Sequence, residues 1–184
     1  HLKTSTKPEL IVGICGCMAQ EESVVNEIME KHKFVDIVFG THNIHELQDL
    51  IINKNKKQEI CVYSYEGKVY ENVDYKRDSD IKAWVNIQYG CDKFCTYCIV
   101  PYTRGKQRSR KSCEIRKEVQ DLKNKGYKEV TLLGQNVNAY GKELENEISF
   151  AELLQRVSDT GIDRVRFVTS HPWDFTDEMI EVIA

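Results

Sequence analysis

The chain has 184 residues, 41% of them hydrophobic and 30% charged, with a formal net charge of -3. That length allows one ordinary domain or two small ones, and the composition fits a globular fold with its own core. It excludes a global basic field for nucleic acid, and no apolar run approaches the roughly 20 residues of a membrane helix. The polar start, His1 to Pro8, is no signal peptide. Seven cysteines, clustered and odd in number, read as cytoplasmic thiols rather than a disulfide framework, and some are expected to bind metal.

Leu10 to Cys15 is a short apolar run, read as a buried strand. A helix is expected over Glu21 to His32, with Val24, Val25, Ile28 and Met29 on one face. Val35 to Phe39 is a second strand, and Ile44 to Asn53 a second helix with Ile44, Leu47 and Leu50 or Ile51 inward. Glu59 to Tyr65 alternates and is expected as an edge strand. This order implies a parallel sheet with helices packed on it. Tyr65 to Lys82 is charge-rich and poor in aliphatics, so a hairpin and a linker are expected there, with a domain boundary near residue 78.

From Ala83 onward a strand–helix unit repeats. Ala83 to Gln88 is a strand leading into a cysteine loop. Ser112 is expected to cap a helix with Ile115, Val119 and Leu122 inward and Gly126 as the stop. Glu129 to Leu133 is the next strand, and Ser149 with Glu152 predicts a capping box. Arg164 to Val168 is a third strand, and Thr176 starts a helix with Met179, Ile180 and Ile183 inward. Ligands bind at the carboxyl ends of strands in parallel α/β folds. Gly90, Gly134 to Asn136 and Ser170 to His171 are therefore candidates for one binding rim, or else ordinary turn residues.

Cys91, Cys95 and Cys98 stand in C-x3-C-x2-C spacing within one loop. Zinc usually takes four ligands, and no fourth lies near this triplet. Three thiolates suit a [4Fe–4S] cluster and leave one iron open to bind a substrate or cofactor. At this point the residues resemble a known family. The triplet after the first strand of a βα series is similar to the radical S-adenosylmethionine (SAM) superfamily signature. The resemblance implies that the open iron binds the amino and carboxylate groups of SAM, whose reductive cleavage yields a 5′-deoxyadenosyl radical. Tyr97 matches the position near the SAM adenine. Gly134-Gln135 sits where the superfamily places its methionine-binding motif, with Gln135 in place of the common glutamate.

Gly90 to Gly105 closely resembles the methylthiotransferase family. Leu133 to Gly141 is similar to the subgroup that converts N6-isopentenyladenosine in tRNA to its 2-methylthio derivative. Members acting on a ribosomal protein or on threonylcarbamoyladenosine in tRNA usually differ at this second motif. Gly16-Cys17-Met18-Ala19-Gln20 resembles the last cysteine motif of the family's N-terminal domain. That implies a second [4Fe–4S] cluster in the full-length enzyme, with Cys17 as its third ligand and two ligands upstream. The implied fold is α/β: residues 1–78 end a methylthiotransferase N-terminal α/β domain, and residues 79–184 begin a radical SAM partial (β/α) barrel. On this reading segments of the parent chain are missing at both ends, and the chain alone is expected to be inactive. No residue is assigned as an acid or base.

Arg104, Lys106, Arg108, Arg110 and Lys111 place five positive charges in eight residues with no acid among them. Such a run either contacts phosphates or is a solvated loop. Its position directly after the cysteine loop favours the former. The partners that the resemblance implies are a tRNA anticodon stem-loop and a reductant protein, in the cytoplasm. Two alternatives stay open: the same chemistry on a ribosomal protein or on threonylcarbamoyladenosine, and a non-catalytic metal-binding RNA module.

Overall fold

In a computed structural model, the described residues are 7–54, 60–62, 67–69, 71 and 76–184. The chain divides into two compact units. One holds His1–Lys68 with Phe94–Gly105, the other Val69–Lys93 with Lys106–Ala184. Among the described residues, no helix is long and apolar enough to cross a membrane.

The first unit is built on a parallel sheet of β1 (Gly13–Cys15), β2 (Ile37–Phe39) and β3 (Ile60–Val62), in that order. Side chains alternate across a strand, so β2 feeds both faces of the sheet. Val38 packs with Val25, Ile28 and Met29 of α1 (Glu22–Lys31), whereas Ile37 and Phe39 pack with Leu47 and Leu50 of α2 (Leu47–Lys54). Buried Asp36 joins these layers: it accepts from the Val12 N–H at 2.8 Å and pairs with Lys54 at 2.9 Å.

Two sequence expectations change here, and the edge strand expected over 59–65 is met in part. The run before Cys15 is not a buried strand: β1 is short, Leu10 and Ile11 are exposed, and among the described residues the strand has one neighbour, at the sheet edge. Ile44 and Ile51 face outward, because residues 44–46 form a 3-10 turn that offsets the helical stripe onto Leu47 and Leu50. Of the run 59–65, Ile60–Val62 pairs parallel with β2. The rest of that run, and most of the expected hairpin after it, lie outside the described residues.

The second unit carries a parallel sheet of β4 (Lys82–Asn86), β7 (Glu129–Leu133) and β8 (Arg164–Phe167), and a short antiparallel pair, β5 (Gln88–Tyr89) with β6 (Arg108–Ser109). Ala83, Val85, Val130, Leu132, Val165 and Phe167 share one apolar cluster with the helices. Those are α4 (Ser112–Asn124), α5 (Phe150–Ser158) and α6 (Asp177–Ile183), where α3 is the short helix Val100–Thr103 of the first unit. Ile115, Val119 and Leu122 of α4 are buried as their spacing predicts. The Ser149–Glu152 capping box starts α5, and Thr176 caps α6 by accepting from the Met179 N–H. The other face of the sheet is polar: Glu129 pairs with Arg164 at 3.0 Å and Arg166 at 3.3 Å, and Trp84 is exposed.

Two expectations fail in this unit. Ser112 is not a cap; Lys111 holds that position, and the Ser112 hydroxyl donates to Glu147 at 2.5 Å. Ile180 and Ile183 are exposed, because the buried stripe of α6 runs through Met179 and Val182.

Gly141 has a φ of 79°, and a Cβ there would collide with the Ile148 carbonyl oxygen. Both strain and contact oppose any side chain. Gly141→Ala in the full-length protein is expected to cost about 1–3 kcal/mol, measured by denaturant unfolding.

Candidate cluster and cofactor site

β4 and β5 carry the chain to Gly90, and the cysteine loop begins there. Its first residues are tied to several elements of the second unit. The Gly90 N–H donates to Gln135 Oε1 at 2.6 Å, and its carbonyl accepts from Gln88 Nε2 at 3.1 Å. Asp92 Oδ1 accepts from the Gln107 N–H at 3.1 Å. Lys93 Nζ lies 3.0 Å from Oδ1 and 2.8 Å from Oδ2 of Asp174. Cys91, between these ties, is buried.

The end of β7 comes close to this segment. A Cβ at Gly134 would lie 2.8 Å from Gln88 Oε1, so a side chain there would displace the glutamine that holds Gly90. The end of β8 joins the same rim: Thr169 Oγ1 donates to the Gly134 carbonyl at 2.6 Å, and Asn138 and His171 exchange two hydrogen bonds at 2.7 and 2.8 Å. The strand ends picked out from sequence are thus neighbours. Gln135, matched to a cofactor-binding position by resemblance, spends its side-chain oxygen on Gly90 here.

Asp174 is the centre of a buried network. Besides Lys93 it accepts from Asn136 Nδ2 at 2.7 Å and Lys142 Nζ at 2.6 Å. Burial alone would raise its pKa. The donors Lys142, Lys93 and Asn136 outweigh that, and the carboxyl is held well below its ordinary range. Asn136 Oδ1 is buried with no hydrogen-bond partner among the described residues.

The later part of the loop, Phe94–Gly105, packs with the first unit. Cys95 and Cys98 are half-buried there, and the Cys98 N–H donates to the Cys95 carbonyl at 2.9 Å. Phe94 has a φ of 46°, rare for a residue with a side chain, and its ring meets Tyr102 edge-on at 5.9 Å. Tyr97 is 92% exposed. The helix α3 rests on the 3-10 turn Cys17–Gln20, and the Thr103 carbonyl accepts from Thr41 Oγ1 at 2.9 Å. Cys17 opens that turn, two residues beyond β1, and is half-buried.

Among the described residues, no three cysteine, histidine, aspartate or glutamate side chains form a group able to hold a metal ion. The cysteine loop matches an iron–sulfur cluster in its donor chemistry: three soft thiols within eight residues. The buried, unpartnered Asn136 oxygen on the same rim suits a polar cofactor.

The family model described as the radical SAM superfamily matches residues 85–184, which hold the triplet and all three strand ends. The chain belongs to the radical SAM superfamily. Over its whole length it is 58% identical to a protein of Staphylococcus saprophyticus named tRNA-2-methylthio-N(6)-dimethylallyladenosine synthase. It is 57% identical to a protein of the same name from Staphylococcus aureus strain Newman. In each case the chain spans 36% of the relative's length.

This radical SAM chain treats its five loop cations unequally. Arg110 is 4% exposed. Its guanidinium pairs with Glu71 at 2.7 Å and Glu118 at 2.8 Å and donates to the Asn86 carbonyl at 2.7 Å. Burial opposes its charge, but Glu118 and Glu71 more than offset that and raise its pKa. Its assignment to RNA is therefore corrected: its donors are turned inward. Arg104 and Arg108 are half-buried, and Lys106 and Lys111 are exposed. The sequence reading missed Gln88, Lys93, Gln107 and Asp174, whose partners lie up to 81 residues away.

Two outcomes follow for the full-length protein. Arg110→Ala is expected to cost ~3–5 kcal/mol of unfolding free energy by stranding two carboxylates, whereas Lys106→Ala or Lys111→Ala stays within about 0.5 kcal/mol. Asp174 has a folded pKa below its unfolded value of about 3.9, so its stabilisation is present above that pH and is lost as pH falls toward the folded value. Asp174→Asn is expected to cost about 1–3 kcal/mol at pH 7, with the gap to wild type shrinking below about pH 4 in acid-unfolding curves.

Proposed function

We propose that this chain is part of a tRNA methylthiotransferase that adds a methylthio group at C2 of N6-isopentenyladenosine beside the anticodon. The observation that carries this reading is the 58% identity, across the whole chain, to a synthase whose name describes that product. The intact C-x3-C-x2-C loop and the Leu133–Gly141 motif support it.

On this reading Cys91, Cys95 and Cys98 would hold a [4Fe–4S] cluster with one open iron for SAM. When bound, that cluster supplies the electron for SAM cleavage. The chain's own residues do the positioning. Gln135 and Gln88 fix Gly90 ahead of the first ligand, and Gly134 leaves room for them. Tyr97 would meet the adenine. Cys17 would be one ligand of a second cluster that handles sulfur, with two ligands from upstream chain. Residues 79–184 would begin a partial (β/α) barrel, since β4, β7 and β8 run parallel in chain order with their helices on one face. Residues 1–78 would close the preceding domain. Arg104, Lys106, Arg108 and Lys111 would meet phosphates of the anticodon stem-loop, and a cytoplasmic reductant protein would deliver electrons.

The test uses full-length protein reconstituted anaerobically. Ala at Cys91, Cys95 or Cys98 is expected to remove one cluster's iron and reduce SAM cleavage to background. Cys17→Ala is expected to lower iron and stop methylthiolation while SAM cleavage continues. Mass spectrometry of tRNA nucleosides reads the product. A methylthio group found instead on threonylcarbamoyladenosine or on a ribosomal protein would refute the substrate.

A further inference from the structure

We propose that Lys93 and Asp174 form a positioning pair that seats the cysteine loop and sets the reduction potential of the cluster it holds. This rests on the cluster reading above and deepens it.

Three observations carry the inference. Asp174 is 4% exposed, and aspartates are seldom so buried unless paired. Its carboxylate gathers donors from three separate segments: Lys93 in the cysteine loop, Asn136 after β7, and Lys142 beyond it. Lys93 stands two positions from Cys91 and two from Cys95 in the chain. Its ammonium also lies 5.7 Å from the Trp173 ring, beside Asp174, so both neighbours in that turn hold it. A surface ion pair would carry little weight, being screened by water and salt. Here the Asp174 side chain is 5% exposed and that of Lys93 24%, so the pair is poorly screened. The Lys142 side chain is 56% exposed, and water damps its share.

The electrostatic consequence has a sign. Cluster potentials respond to net charge, hydrogen bonding and solvent exposure. With Asp174 present, the Lys93 charge is largely cancelled. Removing the carboxylate leaves an uncancelled positive charge on a residue two positions from Cys91 and from Cys95, which favours the added electron and raises the potential. Removing the ammonium takes one positive charge from the group and leaves Asp174 with the water-damped Lys142, which lowers it. Removing both leaves the net charge of the Lys93, Lys142 and Asp174 group where it was. A purely structural role gives no such opposition of sign; both changes would simply loosen the loop and lose iron.

The experiment uses the full-length protein in a Cys17→Ala background, so that only the loop cluster is read. Wild-type loop, Asp174→Asn, Lys93→Gln and the double variant are reconstituted anaerobically. Each is titrated with dithionite, followed by electron paramagnetic resonance, with iron measured in parallel. The expected result is a positive shift for Asp174→Asn, a negative shift for Lys93→Gln, and a double variant returning close to wild type. Should Asp174→Asn fail to fold, the negative shift of Lys93→Gln alone decides, because Lys93 is the more exposed partner. Shifts of the same sign, or none, in samples that retain iron would overturn the pair while leaving the proposed function intact. A wild-type loop that takes up no iron would overturn both.

Discussion

Asp174 is a carboxylate withdrawn from water that keeps its charge, and the strand-end rim of the second unit is arranged to let it. A buried charge must be met by partners or neutralised. Asp174 is met by Lys93, Lys142 and Asn136, drawn from three stretches of chain. Each partner is thereby fixed, and with it the backbone on either side. The same constraint recurs at Arg110, held by Glu71 and Glu118, and at Glu147, held by Ser112. These polar ties join loops that the apolar core alone would leave free. The core under the sheet sets where the strands run; the ties set where their ends stop.

That division explains what could be read from sequence. β7, the inward face of α4 and the start of α5 were legible because their signals are local: a strand run between turns, apolar residues at helical spacing, and a capping box across three positions. Where two stripes competed, the local signal misled. On α6 the sequence offers both Ile180–Ile183 and Met179–Val182, and only packing against α5 decides between them. Ser112 has the chemistry of a cap, but Glu147, 35 residues on, takes its hydroxyl. Arg110 looked like one more cation in a basic run because Glu71 and Glu118 lie outside it.

The candidate site was legible to the same degree and for the same reason. The triplet Cys91, Cys95 and Cys98 is a short-range pattern that no folding is needed to see. The residues that seat it are long-range: Gln135 is 45 residues from Gly90, and Asp174 is 81 from Lys93. Gln88 and Lys93 are ordinary polar residues in sequence. What distinguishes them is burial beside a strand end, which spacing does not encode.

The basic run shows how the two kinds of interaction compete for the same side chains. A buried cation held by half-buried carboxylates has no donor to offer a phosphate without stranding those carboxylates, and the loss would exceed the gain. Exposed lysines carry no such cost; each phosphate they meet adds affinity by releasing counterions. Lys106 and Lys111 are of that kind, and Arg110 is not. The run is therefore two structures in one stretch of sequence. Arg110 anchors the start of α4, bonding to the Asn86 carbonyl at the end of β4. The exposed lysines flanking it are carried on that anchor, so the charge available to a phosphate is presented by a segment whose own charge is turned inward.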